Sequence, residues 1–237
     1  MRLSPWARAV AVSAVLVLGG AAVLAAGALT TRHARLVSYP VGGEPGGLSF
    51  DLDDADVDIV GGGPRARMTV QRLERYAFGH DARTVRTVSG GVLHVTSRCP
   101  TVLPHACSVR YRVVVPDNVP VDVRTGAGAV TFRDYHGSAR ISTRGGGIDV
   151  TGFCGFSLEA RSVGGHVDVA AACPPQQLTL RASTGDVHAV VPAGRYQVDA
   201  TSASGRHVVR GVDARSDALF AIQALSSSGD VLVEGRR

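Results

Sequence analysis

From Leu36 to the C-terminus, apolar and polar residues alternate with period two, and over the second half a glycine turn recurs. Six segments align on one glycine: "TGAGAVTF" (Thr125–Phe132), "TRGGGIDV" (Thr143–Val150), "SVGGHVDV" (Ser162–Val169), "ASTGDVHA" (Ala182–Ala189), "SASGRHVV" (Ser202–Val209) and "SSSGDVLV" (Ser226–Val233). The aligned glycines, Gly128, Gly146, Gly165, Gly185, Gly205 and Gly229, are spaced 18, 19, 20, 20 and 24 apart. Apolar residues stand two and four places after five of them, as in Ile148/Val150 and Val167/Val169, which is the signature of a strand with one face buried. In the fifth copy His207 interrupts this pattern, and the adjacent Val208 and Val209 predict a bulge or slipped register. Glycine at the turn is expected to supply a positive φ.

A second alternating run lies between copies ("ARIS", "FSLEARS", "LTLRAS", "YQVDATS", "FAIQALSS"), so each period reads strand, turn, strand, corner. No stretch beyond residue 35 shows a helical period. The prediction is an all-β, right-handed parallel β-solenoid of about 20 residues per coil, with a β-sandwich as the alternative. Coils succeed one another in sequence order in this reading. The earlier strand-like runs, "LSFDL", "VDIV", "RMTVQR", "TVRTV" and "VLHVT", have no fixed period and are expected to cap one end of the stack.

Cys154 and Cys173 each lie eight residues past an aligned glycine. On neighbouring coils about 4.8 Å apart, their Cα separation suits a disulfide. Cys99 and Cys107 bracket "PTVLPHA", which a local disulfide would close; a Cys107–Cys154 link would instead break the in-register stack. Four paired cysteines fit an exported protein.

The first 35 residues differ in kind. Ala9 to Thr31 carries no charge, and these 23 residues would span roughly 34 Å as a helix, enough to cross a bilayer. The expected organisation is a cytoplasmic N-terminus (1–8), a transmembrane signal-anchor helix (9–31), a linker (32–47) and an extracytoplasmic repeat domain (48–237). The "AGA" at Ala26–Ala28 leaves a cleaved signal peptide open. Either way the repeat domain is exported.

The formal charge of +5 changes meaning once it is divided along the chain. There is no lysine, and four of the 25 basic residues (Arg2, Arg8, Arg32, Arg35) lie in the first 35, which hold no acid. The remainder is nearly neutral, without the basic field that nucleic-acid binding requires. Expected partners are the membrane, through the N-terminal helix, and a protein or cell-envelope polymer.

The segment "SVRYRVVVPDNVPVDVRTGAGAVTF" (Ser108–Phe132) and the glycine repeats after it resemble a bacterial β-strand-repeat family of unknown function, named adhesin-like or adhesin-head-like. The resemblance covers roughly residues 48–237. It implies a membrane-anchored envelope protein with its β-solenoid outside, and it brings no catalytic residues.

Candidate chemistry is sparse. Asp149, Asp168 and His188 share one phase and would form an outward polar column able to hold a divalent cation or to act as an acid/base pair. Arginines such as Arg144 and Arg161 could neutralise the same face. Asp51, Asp53, Asp56 and Asp58 could offer oxygen ligands to calcium, though calcium-binding β-rolls repeat at about half this period. His94, Cys99, His105 and Cys107 could ligate zinc if the cysteines stayed reduced. No G-x-S-x-G or H-E-x-x-H occurs, and without lysine there is no phosphate-binding P-loop. Thr143, Ser162, Ser202 and Ser226 read as turn residues rather than nucleophiles. The reading is a non-enzymatic interaction scaffold with no cofactor. The alternatives are a polysaccharide-cleaving enzyme on a β-helix and a calcium-stabilised adhesin.

Overall fold

The computed structural model describes residues 33–236, apart from 44, 66, 78–79 and 101–106, together with Trp6. Strands follow one another in the order β1 (His33–Gly42), β2 (Gly47–Leu52), β3 (Ala55–Gly63), β4 (Arg67–Tyr76), β5 (Arg83–Ser89), β6 (Val92–Arg98), β7 (Cys107–Pro116), β8 (Val121–Thr125), β9 (Val130–Arg133) and β10 (Ala139–Thr143). They continue with β11 (Ile148–Phe153), β12 (Ser157–Ser162), β13 (Val167–Ala171), β14 (Gln177–Ala182), β15 (Val187–Pro192), β16 (Arg195–Ser202), β17 (His207–Arg210), β18 (Asp213–Ala214), β19 (Phe220–Ser226) and β20 (Val231–Arg236). They form two 10-stranded sheets, ordered β1-β4-β7-β3-β9-β11-β13-β15-β20-β17 (sheet one) and β18-β16-β19-β14-β12-β10-β8-β2-β6-β5 (sheet two). Each coil contributes one strand to sheet two and the next to sheet one, and neighbouring coils pair in parallel. The architecture is all-β and solenoid-like. Among the described residues no helix is long and apolar enough to cross a membrane, and the span expected at 9–31 lies outside them.

The alternation builds the core directly. Val130, Ile148, Val167, Val187 and Val231 stack in register as one inward row, and Phe132, Val150, Val169, Ala189 and Val233 as the next. All ten are buried, and each larger side chain so placed contributes on the order of 1.5–3 kcal/mol. Sheet two supplies the opposing rows, including Ile141, Ala160, Leu180 and Ala224. Phe132, Tyr135 and Phe153 pack ring against ring at the corner.

Coil order departs from sequence order at both ends. The coil β19–β20 lies between β14–β15 and β16–β17, which are consecutive in the chain. Likewise β2–β3 lies between β6–β7 and β8–β9. The C-terminal insertion places the more apolar coil inside. Ile222, Ala224, Val231 and Val233 are almost wholly buried, whereas the outermost coil carries His207 in the row that is valine or isoleucine elsewhere. An imidazole in that row is tolerable only where water can reach it. His207 pairs in register with Val231, so the bulge expected there does not form.

The aligned glycines also have a different reason from the expected one. None of the six has a positive φ; glycines that do include Gly90, Gly91 and Gly152. A Cβ on Gly146 would instead run into the carbonyl of Gly128, one on Gly165 into that of Gly146, and one on Gly229 into that of Gly185. The turns stack so closely that a side chain has no room.

Under these turns runs a ladder of buried hydroxyls. Thr143 donates to the carbonyl of Gly126 (3.0 Å) and accepts the N–H of Gly146 (2.9 Å). Ser162 donates to Gly146 (3.1 Å) and accepts from Gly165 (2.8 Å). Ser226 donates to Gly185 (2.8 Å) and Ser202 to Gly229 (2.6 Å). These residues are turn-builders whose oxygens link one coil to the next.

The antiparallel strands β1, β4 and β5 cover the N-terminal end. Within the expected linker, His33–Gly42 is the strand β1, whose alternating Val37, Tyr39 and Val41 are half-buried. Arg86 lies 4.1 Å from the centre of the Tyr39 ring.

Candidate functional site

Parallel in-register pairing turns a shared phase in the sequence into a column in space. On the outer face of sheet one Asp149 lies beside Asp168, and Asp168 beside His188. The column gains a member from the strand entry: in "GGHVDV", His166 stands two places before Asp168, so period-two alternation puts it on the same face. Its Nε2 lies 3.3 Å from Oδ1 of Asp149 and 3.7 Å from Oδ2 of Asp168. A Cβ on Gly147 would strike the His166 ring, so the third glycine of "GGG" makes the space in which that ring lies.

The column continues across the inserted coil. His188 places Nδ1 3.5 Å from Oδ1 of Asp168 and Nε2 3.0 Å from Oε2 of Glu234. Glu234 in turn accepts from Arg210 Nε at 2.5 Å. Hydrogen bonds from His188 and Arg210 hold the Glu234 carboxyl below its ordinary range. Among the described residues neither Arg144 nor Arg161 forms an ion pair on this face; Arg161 pairs instead with Glu159 of its own sheet at 3.6 Å. His166 was legible from the alternation. Glu234 was not, because the sequence order of the copies places the fifth, not the sixth, beside His188.

The other candidate groups are engaged structurally. Asp51 and Asp53 pair with Arg98 (3.0 and 3.2 Å), and Asp56 with Arg110 (3.0 Å). Asp58 pairs with Arg112 (3.7 Å) and Arg133 (3.4 Å). These carboxylates already have cations, which removes the electrostatic motive for calcium. Cys99 and Cys107 form a disulfide, and so do Cys154 and Cys173, the latter with Cα atoms 4.8 Å apart on adjacent coils. Neither cysteine of the Cys/His cluster is then a thiolate available to zinc. His94 lies apart on sheet two, and His105 lies outside the described residues.

Sheet two carries an open groove of about 610 Å³ on its outer face, lined by Ser49, His94, Asp122, Arg140 and Glu159 among others. A neighbouring depression of about 540 Å³ shares Gln177 and Thr179 with it. Arg140 bridges to Glu159 at 2.9 Å, and Arg124 to Asp122 at 3.4 Å. The Asp149–Asp168 column and this groove are on different sheets. The groove therefore does not bring the carboxylate pair against a polymer bound in it.

Residues 118–218 match the Toastrack DUF4097 family. This match supports the β-strand-repeat resemblance read from the sequence, and the family is one of unknown function. No curated protein matches the chain. Among solved structures, a protein from Clostridium sporogenes with a provisional cell-adhesion name aligns at 8% identity, covering 85% of this chain and 100% of its own, with a TM-score of 0.46. A provisionally named adhesin from Bacteroides fragilis aligns at 7% identity over 85% of this chain and 97% of its own, TM-score 0.42. A provisionally named lipid-binding protein from Parabacteroides distasonis aligns at 11% identity over 87% and 95%, TM-score 0.32. At these scores the likenesses carry no argument, and the fold stands on the strand register described above.

Proposed function

We propose that this chain, whose residues 118–218 carry a Toastrack-type repeat, is a non-enzymatic interaction scaffold of the adhesin type. In this reading a helix at 9–31 holds it in the cell membrane, and the solenoid projects outside. The observation that carries the proposal is the open edge strand at the end of the stack away from the proposed anchor. The N-terminal end is built from antiparallel strands, and its edge strands β1 and β5 lie on the side of the proposed anchor, β1 starting at His33 directly after it. At the far end β17 has one neighbour, β20, among the described residues, and its other edge is open. Val208 and Val209 on that strand are 45% and 39% exposed, and Leu219 in the adjoining loop is 87% exposed. An open edge with valines beside it can accept a strand of a partner protein through backbone hydrogen bonds.

Two further features support a scaffold over a polysaccharide-cleaving enzyme. The carboxylate column lies away from the groove, and the acids within the groove are neutralised by arginines. Two disulfides, one closing the loop between β6 and β7 and one linking adjacent coils, also suit rigid presentation outside the cell.

The test is site-specific photo-crosslinking in intact bacteria making the full chain, with the reactive group at Val208 or, as a mid-stack control, at His136. Discrete adducts from position 208 alone, in the membrane fraction, are expected. Equal adducts from both positions, none from either, or a chain recovered in the soluble fraction would contradict the proposal.

A further inference from the structure

The chain Asp149–His166–Asp168–His188–Glu234–Arg210 is not needed to hold the coils together, since the hydroxyl ladder, the core rows and the disulfide already do so. Its composition is also unlike the rest of sheet one. Asp56, Asp58 and Asp230 each pair with an arginine, whereas the ion pairs of Asp149 and Asp168 among the described residues are with imidazoles alone. We propose that Asp149, His166 and Asp168 form a binding site for a divalent transition-metal ion, with zinc as the representative.

The geometry supplies the first argument. One ligand atom from each of the three residues lies within 4.8 Å of the others. Tetrahedral zinc with bonds of about 2.0–2.1 Å places its ligand atoms roughly 3.4 Å apart. The two separations from His166 Nε2, 3.3 and 3.7 Å, straddle that edge. Three protein ligands leave a fourth position for water, reachable because all three side chains are about half exposed.

Charge supplies the second argument. Asp149 and Asp168 bring two negative charges, and among the described residues no arginine pairs with either, so a divalent cation balances the two. One nitrogen and two oxygens suit zinc; calcium takes six to eight oxygens.

The surroundings of the site supply the third argument. Asp168 is braced from its far side by His188, which is held by Glu234, which is held by Arg210. Such outer hydrogen bonds orient ligands and raise affinity. Gly147 leaves the room the His166 ring occupies. Gly147→Ala should therefore weaken binding without removing a ligand atom.

The experiment uses the full chain, without a histidine tag and purified in detergent, with zinc chloride as the probe. Equilibrium dialysis should give one zinc per chain, and zinc should raise the melting temperature by several degrees, reversibly with chelator. Calcium chloride should give neither effect. His166→Ala and Asp149→Asn, checked by circular dichroism for folding, should each weaken binding tenfold or more, and Gly147→Ala by roughly 10–100-fold. His136→Ala, which removes a separate imidazole–carboxylate pair with Asp117, should change nothing. Absence of bound zinc, equal stabilisation by calcium, unaltered binding in His166→Ala, or an equal loss in His136→Ala would overturn the assignment.

Discussion

Val231 pairs in register with Val187, and His207, which precedes Val231 in the chain, pairs on its far side. That relationship decides which coil ends the stack. The coil rich in buried apolar residues is inserted, and the one bearing an imidazole in the core row is left facing water. It also decides which surface is open to a partner, because the exposed Val208 and Val209 belong to that outermost coil.

The hydroxyl ladder has one missing rung. Ala182 occupies the row of Thr143, Ser162, Ser226 and Ser202, so no hydroxyl at that level donates to the carbonyl of Gly165. Ala182→Ser should supply it and stabilise by about 0.5–1.5 kcal/mol, raising the melting temperature by a few degrees. Ser162→Ala should cost on the order of 1–3 kcal/mol, because it removes the partner of the buried Gly146 carbonyl and of the half-buried Gly165 N–H. Differential scanning calorimetry of both variants checks the pair of signs.

Tyr135 is buried beside Phe132 and Phe153, and its hydroxyl donates to the carbonyls of Val119 and Ser138. Burial raises its pKa well above the ordinary 10.0. A raised acid favours the fold below the unfolded value, and that contribution is lost as pH rises beyond it. Stability should therefore fall above pH 10, and the slope should be shallower in Tyr135→Phe. At neutral pH that variant should lose about 1–2 kcal/mol. Denaturant titrations at neutral and alkaline pH measure both effects.

The Cys154–Cys173 bond closes a segment with a sequence separation of 19. Replacing both residues by serine should cost about 3 kcal/mol, or roughly 6–12 °C in melting temperature. The parallel pairing of β11 with β13 does not depend on the bond, so the circular dichroism spectrum of the folded variant should be unchanged.

At the inserted coil, Asp230 and Glu234 are both held below their ordinary values, Asp230 by backbone and side-chain hydrogen bonds from Arg206 and Glu234 by His188 and Arg210. Lowered carboxylates stabilise the fold above the unfolded values, and the effect fades as pH falls through the folded ones. Wild type and Glu234→Gln should therefore differ in melting temperature at pH 6, and the difference should shrink as pH falls below the ordinary carboxylate range. A constant difference across that range would show that the ion pairs do not stabilise the coil.

What the sequence made legible follows from what recurs in it. Alternation about each aligned glycine, such as Ile148/Val150, specified strand, face and coil length. The shared phase of Cys154 and Cys173 placed them on adjacent coils. Coil order was hidden, because a repeat pattern shows that Gly185, Gly205 and Gly229 are equivalent without showing which of them touch. The answer lay in the side chains: His207 belongs at an end, and the fifth copy's broken pattern was that signal. Glu234 was missed for the same reason, since its contact with His188 exists only in the inserted order. The reason for glycine at each turn was hidden as well, because a φ preference and a lack of room select the same residue.

The coil order, on which the open end and its exposed valines depend, is tested most directly by paired cysteines on the outer face of sheet two. Thr179 lies beside Gln223, and Gln223 beside Asp199. Adjacent parallel strands, about 4.8 Å apart, permit a disulfide, whereas strands two places apart, beyond about 7 Å, do not. Oxidation followed by peptide mass spectrometry without reduction should show a 179–223 link in the Thr179→Cys, Gln223→Cys chain and no 179–199 link in the Thr179→Cys, Asp199→Cys chain. A 179–199 link, without 179–223, would place the coils in sequence order and bury the edge assigned here to a partner.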